Sequence, residues 1–280
     1  AVVPFHLWAP DAYEGAPAPA AALIASGSKV ASFFVFAKVM VLGFAGVEGS
    51  GAWGAWRAGW LPVLAALAVS SMVLGNLTAI VQGHLRRLLA YSAIAHAGYV
   101  VLGLMAMGYP SQRGPALAAV VYYVATYGLT TVGLFGIAAV IERVSGDGRI
   151  EALAGLSRRS PFLAGCLMVF LLSLAGIPPL AGFFAKFGVF TAAVGADPER
   201  LGLLWLATVA IAMNAVSLVY YLRVLKQAYV APGVEAAPLI AVPWTDRVCL
   251  AAAALGVFLL GALPGWLIDP LTRAIAASGF

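Results

Sequence analysis

Apolar positions in this chain continue for twenty residues and more at a time, and polar ones collect in short strings between those runs. The runs fall at about 17–45, 59–82, 86–108, 115–142, 161–195, 200–231 and 246–276. A helix needs about 20 apolar residues to cross the hydrocarbon of a bilayer. Each run therefore predicts one spanning helix, all within a single membrane domain over 1–280. Long alternation of period two is absent, so helices are the spanning structure available. Residues 1–16 (AVVPFHLWAPDAYEGA) mix prolines with Trp, Tyr, Asp and Glu. They predict the end of a further helix leaving the membrane, then a turn. Between the runs stand turn formers: Gly49-Ser50-Gly51, Gly108-Tyr109-Pro110, Ser145-Gly146-Asp147-Gly148, Asp197-Pro198 and Ala231-Pro232-Gly233. The expected fold is all-α: a polytopic membrane bundle of seven full spans and a partial one.

Composition narrows the functional classes. Of the 280 residues 63% are hydrophobic and 10% charged, against about 45–50% and about 25% in soluble domains. That excludes a water-soluble enzyme and a disordered chain. The formal charge of +5 comes from scattered cations and makes no nucleic-acid surface. Cys166 and Cys249 lie far apart inside apolar runs, which excludes a disulfide framework and suggests small buried hydrophobes. The start of the chain has no basic leader of the secretory kind and reads as part-way through a helix. Gly49, Gly51 and Gly54 match a dinucleotide-binding spacing, but no strand precedes them. No P-loop, haem ligand pair, iron–sulfur cysteine set or zinc pattern is present, so no redox cofactor is expected in this chain.

Charge placement predicts orientation. Arg86, Arg87, Arg143, Arg149, Arg158, Arg159, Arg223, Lys226 and Arg247 fall in connections on one side, and Arg57, Arg113, Arg200 and Arg273 on the other. The richer side is expected to be cytoplasmic, with the C-terminus opposite. Lys29, Lys38 and Lys186 are left inside spans.

An intramembrane Lys costs about 2.5–3.5 kcal/mol on insertion scales, so it faces the bundle interior or a wet cavity. Leaving water disfavours the charged form of an amine, and a nearby carboxylate favours it. A lysine with a movable acid neighbour is thus a switchable proton holder. Every acid here lies in a loop or near a span end, so mid-membrane acid partners would come from elsewhere. Lys29 sits mid-span and is a candidate proton site. Lys38, nine residues on, points to the opposite face and snorkels. Lys186 follows a break: 161–195 is too long for one straight crossing and contains Gly176, Pro178 and Pro179. The two prolines cannot donate to the carbonyls of Leu174 and Ala175. Those oxygens need water or a cation, and discontinuous helices of this kind mark ion sites in transporters. Pro4, Pro10, Pro17 and Pro19 before Lys29 suggest a weaker echo of the same device.

Other polar groups inside spans are candidate carriers. His96 is one, because a histidine side chain ordinarily titrates near neutrality. Tyr123, Tyr127 and Thr130 share a face at i, i+4, i+7 in a span also holding Tyr122, Thr126 and Thr131. They suit a water file or helix-packing hydrogen bonds. Asn76, Gln82, Asn214 and Ser217 are weaker candidates, and His6 beside Trp8 is expected at the interface.

Three strings carry a family resemblance: Pro4 to Pro17 with Ser28-Lys29; Gly75-Asn76-Leu77 with Arg86 to Ser92; and Leu174 to Phe183 with Lys186. Along its whole length the chain resembles the N-type antiporter-like membrane subunits of bacterial NADH-quinone oxidoreductase (respiratory complex I). Stand-alone or Mrp-type cation/proton antiporters share that fold. The resemblance implies two inverted repeats, each with a broken helix, of which this chain is the C-terminal part. Lys29 and Lys186 then match two proton-translocating lysines, with a further lysine and a glutamate upstream of Ala1, and His96 stands where the family often has His. It implies NAD, FMN, iron–sulfur clusters and quinone in partner subunits, with antiporter-like and small membrane subunits as neighbours. The setting would be the bacterial inner membrane, with a periplasmic C-terminus.

Overall fold

The computed structural model describes residues 1–196, 201–232 and 239–277. The predicted turn at Asp197-Pro198, the turn residue Gly233, and the charges Glu199, Arg200 and Glu235 lie outside them. The described chain is helical, with isolated bridges at Ser50–Arg57 and His84–Arg149. In order come α1 (Trp8–Gly15), α2 (Ala18–Gly43), α3 (Trp60–Ile80), α4 (Leu85–Ala106) and α5 (Arg113–Ser145). They are followed by α6 (Pro161–Ala175), α7 (Ala181–Val194), α8 (Leu204–Tyr229), α9 (Trp244–Ala262) and α10 (Gly265–Ala277). Six of these, α2, α3, α4, α5, α8 and α9, are long and apolar enough to cross a membrane. This is a multi-pass membrane protein.

The central helix is α4, buried almost without interruption from Leu88 to Ala106. Its small residues let neighbours approach closely, as is usual between membrane helices. A Cβ added at Gly75 of α3 would lie 2.6 Å from the Ala95 nitrogen. One added at Gly98 of α4 would lie 2.8 Å from the Ala68 oxygen. The outer helices expose Phe34, Val63, Ile211 and Leu255, a rim that water would not tolerate and lipid does.

Ion pairs collect the connections predicted to share one side. Arg86 meets Glu142 at 2.8 Å, Arg87 meets Asp11 and Glu14, each at 2.8 Å, and Arg143 meets Asp246. Arg223 donates to the Ile80 oxygen at 2.9 Å, tying the end of α8 to the end of α3.

Three expectations need correction. Residues 1–16, expected to end a helix and then turn, do the reverse: a turn over 3–7 precedes the helix α1, Trp8–Gly15. Pro10 stands in its first turn, where no backbone donor is needed, and Tyr13 packs edge-on against Phe135 with ring centroids 5.7 Å apart. His6, just before this helix, is buried within the protein. The run 246–276 is two helices, α9 and α10, separated at Leu263 and Pro264, since proline cannot continue the ladder of α9. Cys166 is buried but Cys249, near the start of α9, is exposed.

Candidate functional site

The break between α6 and α7 is set first by Gly176. At φ +83° it adopts the left-handed conformation that ends helices most cheaply in glycine. The Gly176 N–H donates to the Ser173 oxygen at 2.9 Å, and the Ile177 N–H donates to the Leu172 oxygen at 3.0 Å. Pro178 and Pro179 then prevent resumption of the ladder until Ala181. Gly182 lets the second half start against the first: a Cβ there would fall 1.8 Å from the Ser173 oxygen, and its N–H donates to Ser173 Oγ at 3.1 Å.

The freed carbonyl of Leu174 finds its cation inside the same chain. Lys186 Nζ, in the second turn of α7, donates to the Leu174 oxygen at 2.5 Å and also to Asn214 Oδ1 on α8. A cation at the last carbonyls of α6 meets the negative end of that helix. The Tyr99 ring lies under the ammonium, 5.4 Å from centroid to nitrogen. Lys186 is 4% exposed.

Lys29 is also buried, at 8%. It follows a wide π-helical turn, Ile24–Ser28, a departure from α-geometry common at functional sites. Its Nζ donates to the Ala93 oxygen at 2.8 Å, contacts the Tyr127 hydroxyl at 3.5 Å and sits 4.6 Å from that ring's centroid. Among the described residues no carboxylate pairs with Lys29 or Lys186; the ion pairs lie at the loop ends. Lys38 is exposed, over the Phe34 ring at 5.2 Å, in keeping with snorkelling.

Between the two buried lysines lies His96. Its ring stands 5.0 Å from the Tyr127 ring, its Nδ1 lies 2.8 Å from the Tyr123 hydroxyl and its Nε2 lies 3.1 Å from the Tyr221 hydroxyl. His96, Tyr123, Tyr127, Thr130 and Lys186 line a common cavity of about 10 Å³, close to the room one water needs. The predicted carriers are therefore brought together. Thr130 belongs to the wall, with its hydroxyl donating to the Thr126 oxygen at 2.8 Å. Tyr122 turns away and donates to the Leu260 oxygen on α9 at 2.7 Å. Among the described residues no cluster of three His, Cys, Asp or Glu side chains suits a metal.

Sequence reasoning undervalued Asn214 and missed Tyr99 and Tyr221. The signal was present. Ser92, His96 and Tyr99 recur at i, i+4, i+7 on α4, and Asn214, Ser217 and Tyr221 recur at i, i+3, i+7 on α8. Each set is a one-sided polar stripe in the largely apolar middle of its helix.

Residues 1–213 match the family model described as NADH:quinone oxidoreductase/Mrp antiporter, transmembrane. The chain belongs to this family. It is 56% identical over 268 residues to NADH-quinone oxidoreductase subunit N 2 of Acidobacterium capsulatum, covering 96% of this chain and 53% of the relative. It is 40% identical to subunit N 1 of Roseiflexus castenholzii over 279 residues, covering 99% of this chain and 50% of the relative. The chain thus spans about half the length of the curated relatives it matches. Among solved structures it is similar to a chain of respiratory complex I from Thermus thermophilus with bound aureothin (TM-score 0.75, 33% identity, 96% of this chain and 55% of that one). It also shares its fold with a chain of the Mrp complex from Dietzia sp. DQ12-45-1b (TM-score 0.83, 21% identity, 99% and 56%).

Proposed function

We propose that this chain is part of a proton-translocating membrane subunit of an NADH:quinone oxidoreductase, and that Lys29 and Lys186 carry the protons. The observation behind this reading is the pair of deeply buried ammonium groups, without local carboxylate partners, joined through Tyr127, His96 and Tyr123 beside an interrupted helix. Redox chemistry belongs to other subunits, which would hold the NAD, FMN, iron–sulfur and quinone sites. Its energy reaches this subunit as a change in the charge around the lysines. Lys29 passes a proton laterally toward His96, whose two nitrogens each face a hydroxyl, so it can accept on one side and release on the other. Lys186 takes the proton up at the break. Its ammonium is held by one backbone carbonyl and one neutral amide, so its release is not opposed by a fixed negative charge. From there the proton leaves to the periplasmic side or to the next subunit.

The identity to N-type subunits favours this reading over an Mrp-type cation/proton antiporter, which the matching family model also covers and whose fold the chain shares. The partners would be antiporter-like and small membrane subunits within the bacterial inner membrane. The arginine-rich end would face the cytoplasm, and the end of α9 with α10 the periplasm. The test replaces Lys29 or Lys186 by Ala in the full-length subunit of the assembled complex. Assembly should persist and NADH-driven acidification of vesicles should fall; unchanged acidification refutes the roles.

A further inference from the structure

We propose that Ser92 and the Tyr221 hydroxyl form a second proton branch, leading from His96 toward the end of the bundle that carries the arginine-rich connections. This inference rests on the lysine route above and adds an entrance to it. His96 is a fork. Its Nδ1 partner, Tyr123, belongs to the cavity shared with Lys186. Its Nε2 partner, Tyr221 on α8, does not border that cavity. The Tyr221 oxygen lies 2.5 Å from Ser92 Oγ, and all three residues are buried. A route between the lysines has no use for this pair.

The branch has a direction. Ser92 lies one turn before His96 on α4, seven residues from Leu85, where the helix begins. At 1.5 Å per residue that leaves about 10 Å to the level at which Arg86 meets Glu142. A concerted hop balances without any new group. Ser92 gives its proton to the Tyr221 oxygen as Tyr221 gives its own to His96 Nε2. His96 then releases the Nδ1 proton to the Tyr123 oxygen as Tyr123 gives its own, across the cavity they share, to the neutral amine of Lys186. Each hydroxyl loses one O–H bond and forms one, the imidazole changes tautomer, Lys186 becomes an ammonium, and a hydronium arriving from the arginine-rich end reprotonates Ser92 and leaves as water. Beyond Ser92 the next turn of each helix presents Leu88 and Val224, both with no exposure. That apolar turn keeps the branch from leaking until it hydrates.

Tyr220 supplies an internal control. It is the adjacent residue, as deeply buried, and its ring stands 4.4 Å from that of Tyr221. Its hydroxyl donates to Asn76 Oδ1 at 2.9 Å rather than to His96. The experiment uses the full-length subunit in the assembled complex, reconstituted in liposomes. NADH-driven acidification is compared with NADH oxidation by a soluble artificial acceptor, which reports the redox part alone. Tyr221→Phe and Ser92→Ala should each lose as much proton translocation as Lys186→Ala while acceptor activity stays native. Ser92→Thr, which keeps a hydroxyl, should restore it, and Tyr220→Phe should pump normally. Native pumping in Tyr221→Phe and Ser92→Ala alongside a defective Lys186→Ala overturns the branch and leaves the lysine route standing. Equal losses in Tyr220→Phe and Tyr221→Phe also overturn it, since the hydroxyls would then be packing groups. Native pumping in Lys186→Ala overturns the lysine route and the branch with it.

Discussion

Replacing Gly261 by Ala tests whether the break is held open by its neighbours. Gly261 of α9 lies directly on the interrupted segment. A Cβ there would sit 2.1 Å from the Pro179 oxygen, 2.4 Å from the Leu180 carbonyl carbon and 2.5 Å from the Ala181 nitrogen. All three are backbone atoms, so no side-chain rotation relieves the clash. Favourable carbon contacts begin at about 3.5 Å, so α9 must withdraw by roughly 1 Å or more. Overpacking of this kind costs about 1–3 kcal/mol. The withdrawal also stretches the bond from Tyr122 to the adjacent Leu260 oxygen, worth about 1 kcal/mol. The sum, about 2–4 kcal/mol, corresponds to a fall in Tm of roughly 4–16 °C on the scaling of about 2–4 °C per kcal/mol for large domains. The assay is thermal unfolding of the purified complex, with proton translocation measured alongside, since moving the break moves the carbonyl that holds Lys186. Gly165→Ala on α6 is the control: nothing lies within 4 Å of its added Cβ, and it should be neutral or slightly stabilising. A Gly261→Ala protein with native Tm and native pumping would refute the idea that α9 clamps the break.

Further outcomes follow from the same geometry. Lys186→Met removes a buried charge but orphans the Leu174 oxygen, at about 1–3 kcal/mol, and leaves Asn214 Oδ1 with only a long bond from the Ser217 hydroxyl at 3.4 Å. Relief of the intramembrane charge, about 2.5–3.5 kcal/mol, offsets much of this, so the complex should assemble at near-native yield yet pump poorly; failure to assemble would mean that the lysine is chiefly a staple. Tyr127→Phe keeps the ring under Lys29 and removes the hydroxyl, so it should reduce proton translocation without changing Tm; native translocation would take Tyr127 off the route. Gly133→Ala drives a methyl to 2.3 Å from the Phe170 ring, which is fully buried, and should lower stability by about 1–3 kcal/mol in a melting experiment. Exchanging Arg86 and Glu142 together should be tolerated better than either change alone, because the single variants each leave a half-buried charge unpaired; double-variant and single-variant melting temperatures decide this.

Much of the fold could be read along the chain because a membrane forces apolar runs to be helices of nearly fixed length. The runs at 59–82, 86–108 and 115–142 became α3, α4 and α5 for that reason. The misreadings have a common cause, because periodicity and hydropathy do not report what a segment packs against. Trp8–Gly15 is too polar to count as a span, yet it becomes a helix because Tyr13 finds Phe135. The 246–276 run is mostly apolar, and its two prolines, Pro264 and Pro270, were outweighed by length. At the site, the lysines and the break were legible because charge and Gly-Ile-Pro-Pro stand out against an apolar background. The partners were not. Asn214 is 28 residues from Lys186 in sequence, and Tyr221 is 125 residues from His96. Such pairings are written in tertiary contact, and sequence shows only that polar stripes exist on α4 and α8. The cation wanted by the Leu174 carbonyl was anticipated, but that Lys186 itself supplies it emerged from the three-dimensional arrangement.

Coupling between the two lysines separates one shared route from two independent sites. The measurement is the number of protons moved per NADH oxidised by the reconstituted complex carrying Lys29→Met, Lys186→Met or both in the full-length subunit. If both amines serve a single line through Tyr127 and His96, the double variant loses no more than either single one, because residues acting as one unit are not additive. Losses that add, or single variants that pump like the native complex, would contradict the account.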